Sequence, residues 1–280
     1  MALSQTDLED LKIARQLLEN PSLPARITNL LGAPIERGFA MLPGGWADRV
    51  ASAARTSLSK ALDVAVLTLA DEQKRASQDV LHRVLVAGTG AVGGAFGLAA
   101  LAVELPVSTT IMLRSIADIA RSEGESLGNL ETRLACLEVF ALGSRSQTDM
   151  ASETGYFAVR GIMARTIGEA AQFIAERGLT EKGAPVLVRL ITMITNRFST
   201  VVTEKVAAQA VPLIGAAGGA LVNTIFIDHF QDVARGHFVV RRLERVYGSD
   251  VVRREYEALG EAATETADTS GTSSGPPSAS

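Results

Sequence analysis

Two stretches of the chain, residues 108–121 and 222–235, carry a similar order of polar side chains within otherwise apolar sequence. In each stretch four polar residues fall at positions i, i+4, i+8 and i+11, which lie on one face of an α-helix. The first stretch supplies Thr110, Arg114, Asp118 and Arg121, and the second supplies Thr224, Asp228, Asp232 and Arg235. Polar groups are costly to bury without partners. The repeat therefore predicts two helices that pack together and supply partners for each other's polar side chains.

The charges on the two faces are complementary at one position, where Arg114 of the first stretch corresponds to Asp228 of the second. If the helices pack face to face, Arg114 can pair with Asp228 or with Asp232, and such a buried pair specifies register more than it adds stability. An alternative is that Asp118 and Asp232 approach each other as a carboxylate dyad, in which one pKa is raised. The residue types favour the ion pair of Arg114, which has a structural role, over the carboxylate dyad.

His229 and His237 lie near the same face and complete the candidate polar network. His229, Asp232 and His237 are spaced at i, i+3 and i+8, and imidazole and carboxylate groups suit zinc or iron. Their span exceeds two helical turns, which is too long for one ion to bind all three without help. The sequence has no H-E-x-x-H motif, so a metal site is kept as an alternative, and we expect no bound metal or other cofactor.

A second alternative is a nucleotide-binding enzyme, because Gly88–Gly93 reads G-x-G-x-x-G after an apolar stretch. In a Rossmann fold such a turn brings pyrophosphate to a helix N-terminus. The fold also needs an acidic residue at the end of the next strand. Here Glu104 comes too early, and the next candidate strand, residues 109–113, is followed by Arg114. The repeat at 222–235 has no such motif before it, so an NAD(P) site is the weaker interpretation.

The composition argues against several classes of protein. The 280 residues carry a formal net charge of −4, and no block of basic residues indicates nucleic-acid binding. Cys136 is the single cysteine, so an intrachain disulfide is excluded, and its apolar surroundings predict a small core residue rather than a nucleophile. The first ten residues lack the basic and apolar regions of a signal peptide, which makes a cytoplasmic location the expectation.

Apolar residues recur at helical spacing along most of the chain and strand-like alternation is rare, which predicts an all-α, multi-helix bundle. The predicted helices are 5–19, 25–31, 34–42, 46–75, 106–122, 130–142, 150–177, 184–205, 222–247 and 250–259. The predicted parts of the chain are N-terminal helices in 1–42, a helical domain in 43–259 and a disordered tail in 260–280. Ala, Thr, Ser, Gly and Pro dominate that tail. We expect the helices 106–122 and 222–247 to be in contact.

Two long uncharged runs, 84–103 and 206–227, contain glycines spaced four residues apart. These pairs are Gly90 with Gly94, Gly93 with Gly97, and Gly215 with Gly219. Such spacing lets helix backbones approach closely, so we expect the two runs to pack together. Each run is about long enough to cross a bilayer core. The mean hydropathy of the whole chain is only +0.19, which favours a soluble or peripheral helix over stable insertion.

Three segments of the chain resemble the EcsC family of bacterial proteins. They read T-T-I-M-L-R-S-I-A-D-I-A-R-S-E-G-E (109–125), C-L-E-V-F-A-L-G (136–143), and D-H-F-Q-D-V-A-R-G-H-F with R-R-L-E soon after (228–244). The similarity runs from about Pro43 to Leu259. The family takes its name from a protein encoded beside an ABC-type exporter, so the resemblance implies an all-helical intracellular domain that acts with a membrane system. Some members carry peptidase-like labels, but the resemblance supplies no catalytic residue.

The residues and the resemblance together predict a membrane-associated accessory or scaffold protein with no established catalytic activity. The expected partners are the membrane surface or a membrane protein such as an ABC transporter component, and nucleic acid is not expected. The expected location is cytoplasmic, peripheral to or partly inserted in the inner membrane. The alternatives are a metal-dependent hydrolase or peptidase that uses the helix face 228–237, and an NAD(P)-binding enzyme that uses Gly88–Gly93.

Overall fold

The computed structural model describes residues 2–19, 23–31, 36–70, 98–144, 155–179, 181, 183–210 and 215–271. These residues form ten helices and no strand, which confirms the predicted all-α bundle. The helices are α1 (Gln5–Glu19), α2 (Leu23–Leu31), α3 (Glu36–Ala40), α4 (Trp46–Leu67), α5 (Leu98–Ser122), α6 (Leu130–Leu142), α7 (Gly155–Arg177), α8 (Pro185–Ala210), α9 (Gly215–Tyr247) and α10 (Ser249–Gly271).

The two repeated stretches lie on α5 and α9, which pack along each other. Gln231 Nε2 of α9 donates to Ser115 Oγ of α5 at 2.8 Å. Arg241 Nε, later in α9, donates at 2.7 Å to Glu125 Oε1, just beyond the end of α5. The later residue of α9 contacts the later residue of the first segment, so the two helices run in the same direction. The predicted contact between 106–122 and 222–247 is confirmed.

Helix α8 runs in the opposite direction to α9. Lys205 lies over the ring of Phe226, with its Nζ 4.8 Å from the ring centroid. Phe198, earlier in α8, contacts Phe230, later in α9, with ring centroids 5.7 Å apart. The C-terminal end of α8 therefore lies beside the N-terminal part of α9, and beside that of its parallel neighbour α5.

Phenylalanines form the centre of the core where α6, α8 and α9 meet. Phe140, Phe198, Phe226 and Phe230 are fully buried, and the Phe140 ring lies 5.1 Å from that of Phe198 and 5.3 Å from that of Phe230. The rings are tilted or edge-on, which suits their quadrupoles. Gly143 follows α6 at this point, because a Cβ there would lie 2.5 Å from the Phe230 ring.

Hydrogen bonds near the helix ends explain where two helices begin and end. Asn129 caps α6, since its side chain accepts from the backbone N–H of Glu131 at 2.9 Å. The N–H groups of Thr68 and Leu69 both bond to the carbonyl of Val64, at 3.0 and 3.3 Å, and Thr68 has left the helical conformation with a φ of −122°. For this reason α4 ends at Leu67 and does not continue towards residue 75 as predicted.

Helix α10 differs from the sequence-based expectation for the end of the chain. Gly248 separates it from α9 with a φ of 88°, a left-handed conformation that favours glycine. The helix then continues to Gly271, past Gly260, where the disordered tail was predicted to begin. The segment E-A-A-T-E-T-A (261–267) is rich in Ala and Glu, which are strong helix formers and explain the difference. Residues 272–280 lie outside the described residues.

The uncharged run 206–227 is divided between two helices. Helix α8 ends at Ala210 and α9 begins at Gly215, and the sequence has Pro212 between them. Because α8 and α9 run in opposite directions, this run does not form one membrane-crossing helix. The other run is described only from residue 98 onwards, and the predicted packing through Gly90 and Gly94 lies outside the described residues.

Candidate functional site

The predicted polar residues of α5 and α9 make contacts in several parts of the fold. Thr110 and Thr224 occupy equivalent positions of the repeat, and each hydroxyl donates to a carbonyl of its own helix. The acceptors are the carbonyl of Pro106 at 2.8 Å and that of Ala220 at 3.0 Å. Both hydroxyl donors are thus used within their own helices.

The aspartates of the repeat pair with arginines. Asp118 pairs with Arg121 within α5, and Asp232 pairs at 3.0 Å with Arg235 within α9, so the two stretches form equivalent ion pairs. Asp232 also accepts at 2.7 Å from Arg26 of α2. Each carboxylate has arginine partners of its own, so the geometry does not support the proton-sharing dyad.

Arg114 and Asp228 lie half-buried on α5 and α9. Asp232 pairs with Arg26 and with Arg235. The pairing of Arg114 with Asp228 or with Asp232 stays a prediction.

The two histidines of α9 contact different parts of the fold. His229 Nε2 lies 2.7 Å from the carbonyl oxygen of Gly143, whereas His237 Nδ1 lies 2.9 Å from the hydroxyl of Tyr156. With Asp232 bound to arginines, the three proposed ligands of the metal alternative do not converge on one ion. In the described part of the chain, no group of three or more His, Cys, Asp or Glu side chains is arranged to hold a metal.

The glycines of the dinucleotide alternative, Gly88–Gly93, lie outside the described residues. The segment that would form the next strand, 109–113, lies inside the helix α5. The βαβ unit that such a site needs is therefore not formed at this point.

A cluster of buried polar side chains joins three helices on one side of the core. We call it the three-helix junction and define it as Glu138 of α6, Tyr156 and Arg160 of α7, and His237 and Glu244 of α9. His237 is fully buried and Glu138 almost so. His237 Nε2 lies 3.9 Å from Glu138 Oε2, and Tyr156 is bonded to the other ring nitrogen. An imidazole between a carboxyl and a phenol is an arrangement that can hold or pass a proton.

Two arginines border the three-helix junction, and each is bound to a carboxylate. Arg160 donates to both oxygens of Glu244, at 2.8 and 2.6 Å. Arg241 Nε donates to Glu125 at 2.7 Å, and the hydroxyl of Thr132 donates to the same carboxylate at 3.0 Å. The charge of each arginine is therefore balanced by a hydrogen-bonded partner other than Glu138.

Burial shifts the titratable groups of the three-helix junction towards their neutral forms. It raises the pKa of Glu138 to about 7, against the opposing effect of Arg160 and Arg241. It also holds the pKa of His237 well below its usual value, and the same arginines lower that pKa further. The pKa of Tyr156 is raised by burial, so the phenol keeps its proton.

Sequence reasoning identified His237 but missed the other members of the three-helix junction. A signal for Glu138 was present, since it is the single charge in the apolar segment L-A-C-L-E-V-F-A-L, and a buried carboxylate requires compensation. Tyr156 and Arg160 gave no comparable signal, because both residue types are common on a half-exposed helix.

Cys136 has the environment that the sequence predicted. The side chain is fully buried in α6, and burial raises the pKa of its thiol to about 12. A thiol in that state supplies almost no thiolate at neutral pH, so Cys136 is a core residue and not a nucleophile.

One end of the bundle exposes large apolar side chains near the starts of two helices. Val103 of α5 is 72% exposed, and Val107 of α5 and Leu221 of α9 are also exposed. Because α5 and α9 are parallel neighbours, these side chains lie at the same end of the bundle. Behind them Lys205 and Glu104 form a buried ion pair with a Nζ–Oε1 distance of 2.7 Å.

The segment from α3 to the start of α4 lies near the same end. Gly38 of α3 packs so closely on α8 that a Cβ there would lie 1.8 Å from the carbonyl oxygen of Ala207. Met41 is exposed, and the rings of Phe39 and Trp46 are in contact, with centroids 6.2 Å apart. We define the apolar end as Met41, Trp46, Val103, Val107 and Leu221.

By length and composition alone, one helix of the described residues could cross a membrane. That helix is α8, and 44% of its most apolar window is buried. Core helices of soluble proteins meet the same criteria, so α8 is weak evidence of membrane association. It overlaps the predicted run 206–227 only in its last turn.

In the comparison with known proteins, no curated protein and no solved structure matches the chain. The model of the EcsC protein family matches residues 6–243. That match includes α1 to α3, which precede the start of the similarity noted in the sequence, and α1 packs directly on α9. The chain belongs to the EcsC protein family.

Proposed function

We propose that the protein is a membrane-associated accessory or scaffold protein that contacts the lipid surface through the apolar end. The observation that carries this proposal is the clustering of exposed apolar side chains at one end of a charged bundle. Val103 is the most exposed of the large apolar side chains described. Isolated apolar residues on a surface are ordinary, whereas a group of them at one end marks an interaction site.

The chemistry of the apolar end suits a lipid interface better than a water-filled groove. Val103, Val107 and Leu221 offer aliphatic surface, and tryptophan rings such as that of Trp46 favour the headgroup level of a membrane. Glu104, at the start of α5, and Lys205, near the end of α8, neutralise each other inside the bundle. Contact with lipid would therefore not require either charge to lose water.

Trp46 provides the test, because it is the single tryptophan of the chain. We expect its emission to shift to the blue when the full chain is mixed with phospholipid vesicles, and brominated lipids to quench it. Replacing both Val103 and Val107 with Asp should weaken vesicle binding at least about tenfold, which corresponds to roughly 1.4 kcal/mol. The matched control is Ile162→Asp on α7, an exposed apolar residue outside the apolar end.

Two results would contradict the proposal. One is unchanged Trp46 emission with both zwitterionic and anionic vesicles. The other is an equal loss of vesicle binding in the Ile162→Asp control, because that would show a general effect of added charge rather than a contact through the apolar end.

The accessory role would be exercised beside an ABC-type exporter at the cytoplasmic side of the inner membrane, as the family resemblance implies. Crosslinking in native cells followed by purification tests this part. We expect ATPase or membrane subunits of such an exporter to be enriched with the wild-type chain and depleted with the Val103→Asp, Val107→Asp chain. Equal recovery with both chains would separate the exporter contact from the apolar end.

A further inference from the structure

Two facing side chains in the three-helix junction each have a buried polar atom without a hydrogen-bond partner. These atoms are Nε2 of His237 and Oε1 of Glu138. His237 Nε2 lies 3.9 Å from the other oxygen of the same carboxyl. Buried polar atoms are rarely left unpaired in folded proteins, so this pair requires an explanation.

The charges around the pair are balanced before the pair itself is counted. The groups that face it are Tyr156 and Arg160 of α7, Arg241 and Glu244 of α9, and Glu125 ahead of α6, with Tyr256 of α10 stacked on Tyr156. The two arginines are bonded to the two glutamates, and burial keeps both tyrosines protonated. Glu125 also bonds to Arg245, but the Arg245 side chain is 41% exposed, so water screens its charge. The buried part of the junction is then neutral only if the pair carries one proton.

From this geometry we propose that Glu138 and His237 act as a one-proton pair, which holds a single proton between them while the three helices are packed together. With no proton, the pair leaves an uncompensated carboxylate in the core. With two protons, it leaves an uncompensated imidazolium. The directions of the two pKa shifts agree, since burial favours the neutral carboxyl and the neutral imidazole.

The pair makes the equilibrium between the closed and the open junction insensitive to pH over part of the acidic range. When the junction opens to water, the carboxyl and the imidazole return to their ordinary pKa values of 4.5 and 6.5. Between those values the open form carries one proton, on the imidazole, and the closed form also carries one. Opening then exchanges no net proton, so the equilibrium between the two forms does not depend on pH in this range.

Removing either partner converts the junction into a pH switch, and the two switches have opposite signs. Glu138→Gln leaves an imidazole that must stay neutral when closed, so acid opens the junction, about 30-fold more at pH 5 than at pH 8. His237→Gln leaves a carboxyl whose pKa is about 7 when closed, so alkali opens it, about tenfold more at pH 8 than at pH 6. Burial is the largest cause of both shifts and remains in each single variant, so each shift persists there.

Amide hydrogen exchange in the full chain measures this opening through residues 155–160 at the start of α7. After correction for intrinsic exchange, we expect the wild type to vary less than about threefold between pH 5 and 8. The two single variants should vary in opposite directions, and the double variant should again be nearly flat. Cys136→Ser, a buried substitution nearby on α6, is the control and should change the exchange by the same factor at every pH.

A wild type that varies tenfold or more, or two single variants that vary in the same direction, would overturn the proposal. If a variant fails to fold, nuclear magnetic resonance of the wild type decides the matter. The carboxyl carbon of Glu138 and the ring nitrogens of His237 report their protonation separately. At about pH 6 the two occupancies should add up to one proton, and a sum near zero or near two would be incompatible with a one-proton pair.

Discussion

The ion pair between Lys205 and Glu104 gives a sharp test of how the bundle is held together behind the apolar end. Lys205 Nζ donates to Glu104 Oε1 at 2.7 Å, and the two side chains are 0% and 6% exposed. The ammonium also lies 4.8 Å from the centroid of the Phe226 ring. Lys205→Met keeps the length of the side chain but leaves Glu104 as a buried carboxylate without its cation, so we expect strong destabilisation.

The expected magnitude follows from the burial of both groups. Removing one partner of a buried pair costs about 3–5 kcal/mol, and loss of a desolvated cation–π contact adds to it. That is a large share of a typical free energy of unfolding of about 5–15 kcal/mol. Lys205→Met combined with Glu104→Leu leaves no charge unpaired and should recover most of the loss, because apolar replacement of a buried pair is often neutral or stabilising.

Urea unfolding followed by circular dichroism gives the free energies for the wild type, both single variants and the double variant. Arg165→Met is the matched control, since it breaks a surface pair with Glu169 in which the arginine side chain is 88% exposed. The control should cost less than about 1 kcal/mol. The reasoning is refuted if Lys205→Met costs no more than the control, or if the double variant is as unstable as the sum of the single variants.

Three further predictions follow from close packing and burial. Gly236→Ala should lower the free energy of unfolding by about 1–3 kcal/mol, measured by thermal melting, because its Cβ would lie 2.7 Å from Leu18 Cγ where α1 meets α9. Cys136 should resist iodoacetamide in the folded chain and react in urea, as mass spectrometry can show, because burial raises its thiol pKa to about 12. Asp232→Ala should cost about 1–2 kcal/mol in urea unfolding, since it removes the carboxylate partner of the partly buried Arg26.

Helix positions could be predicted where the apolar spacing agrees with the residues that typically begin or end a helix. Helix α1 has the predicted bounds Gln5–Glu19, and α6 has the predicted bounds Leu130–Leu142. Asn129 caps the second of these, and Gly143 follows it directly. Helix α4 was predicted too long, because apolar periodicity continued beyond Leu67 while the closing bond to the Val64 carbonyl is a matter of local backbone conformation.

The partners of the polar residues could not be predicted in the same way. Helical spacing determines which residues share a face, but it does not say which helix lies opposite that face. Asp232 meets Arg26 of α2, and His237 meets Tyr156 of α7, both from segments that the repeat does not include. The repeat predicted correctly that α5 and α9 are in contact, whereas these partners depend on how the remaining helices surround that pair.

The charges at the borders of the two uncharged runs indicate which helices are neighbours more clearly than the polar faces do. Glu104 is the first charge after the run 84–103, and Lys205 is the last charge before the run 206–227. In the structure they pair with each other. A charge at the border of an apolar run enters the core together with its helix, so it needs an opposite charge at similar depth. The border of the other run supplies that charge, which is why the start of α5 and the end of α8 lie side by side.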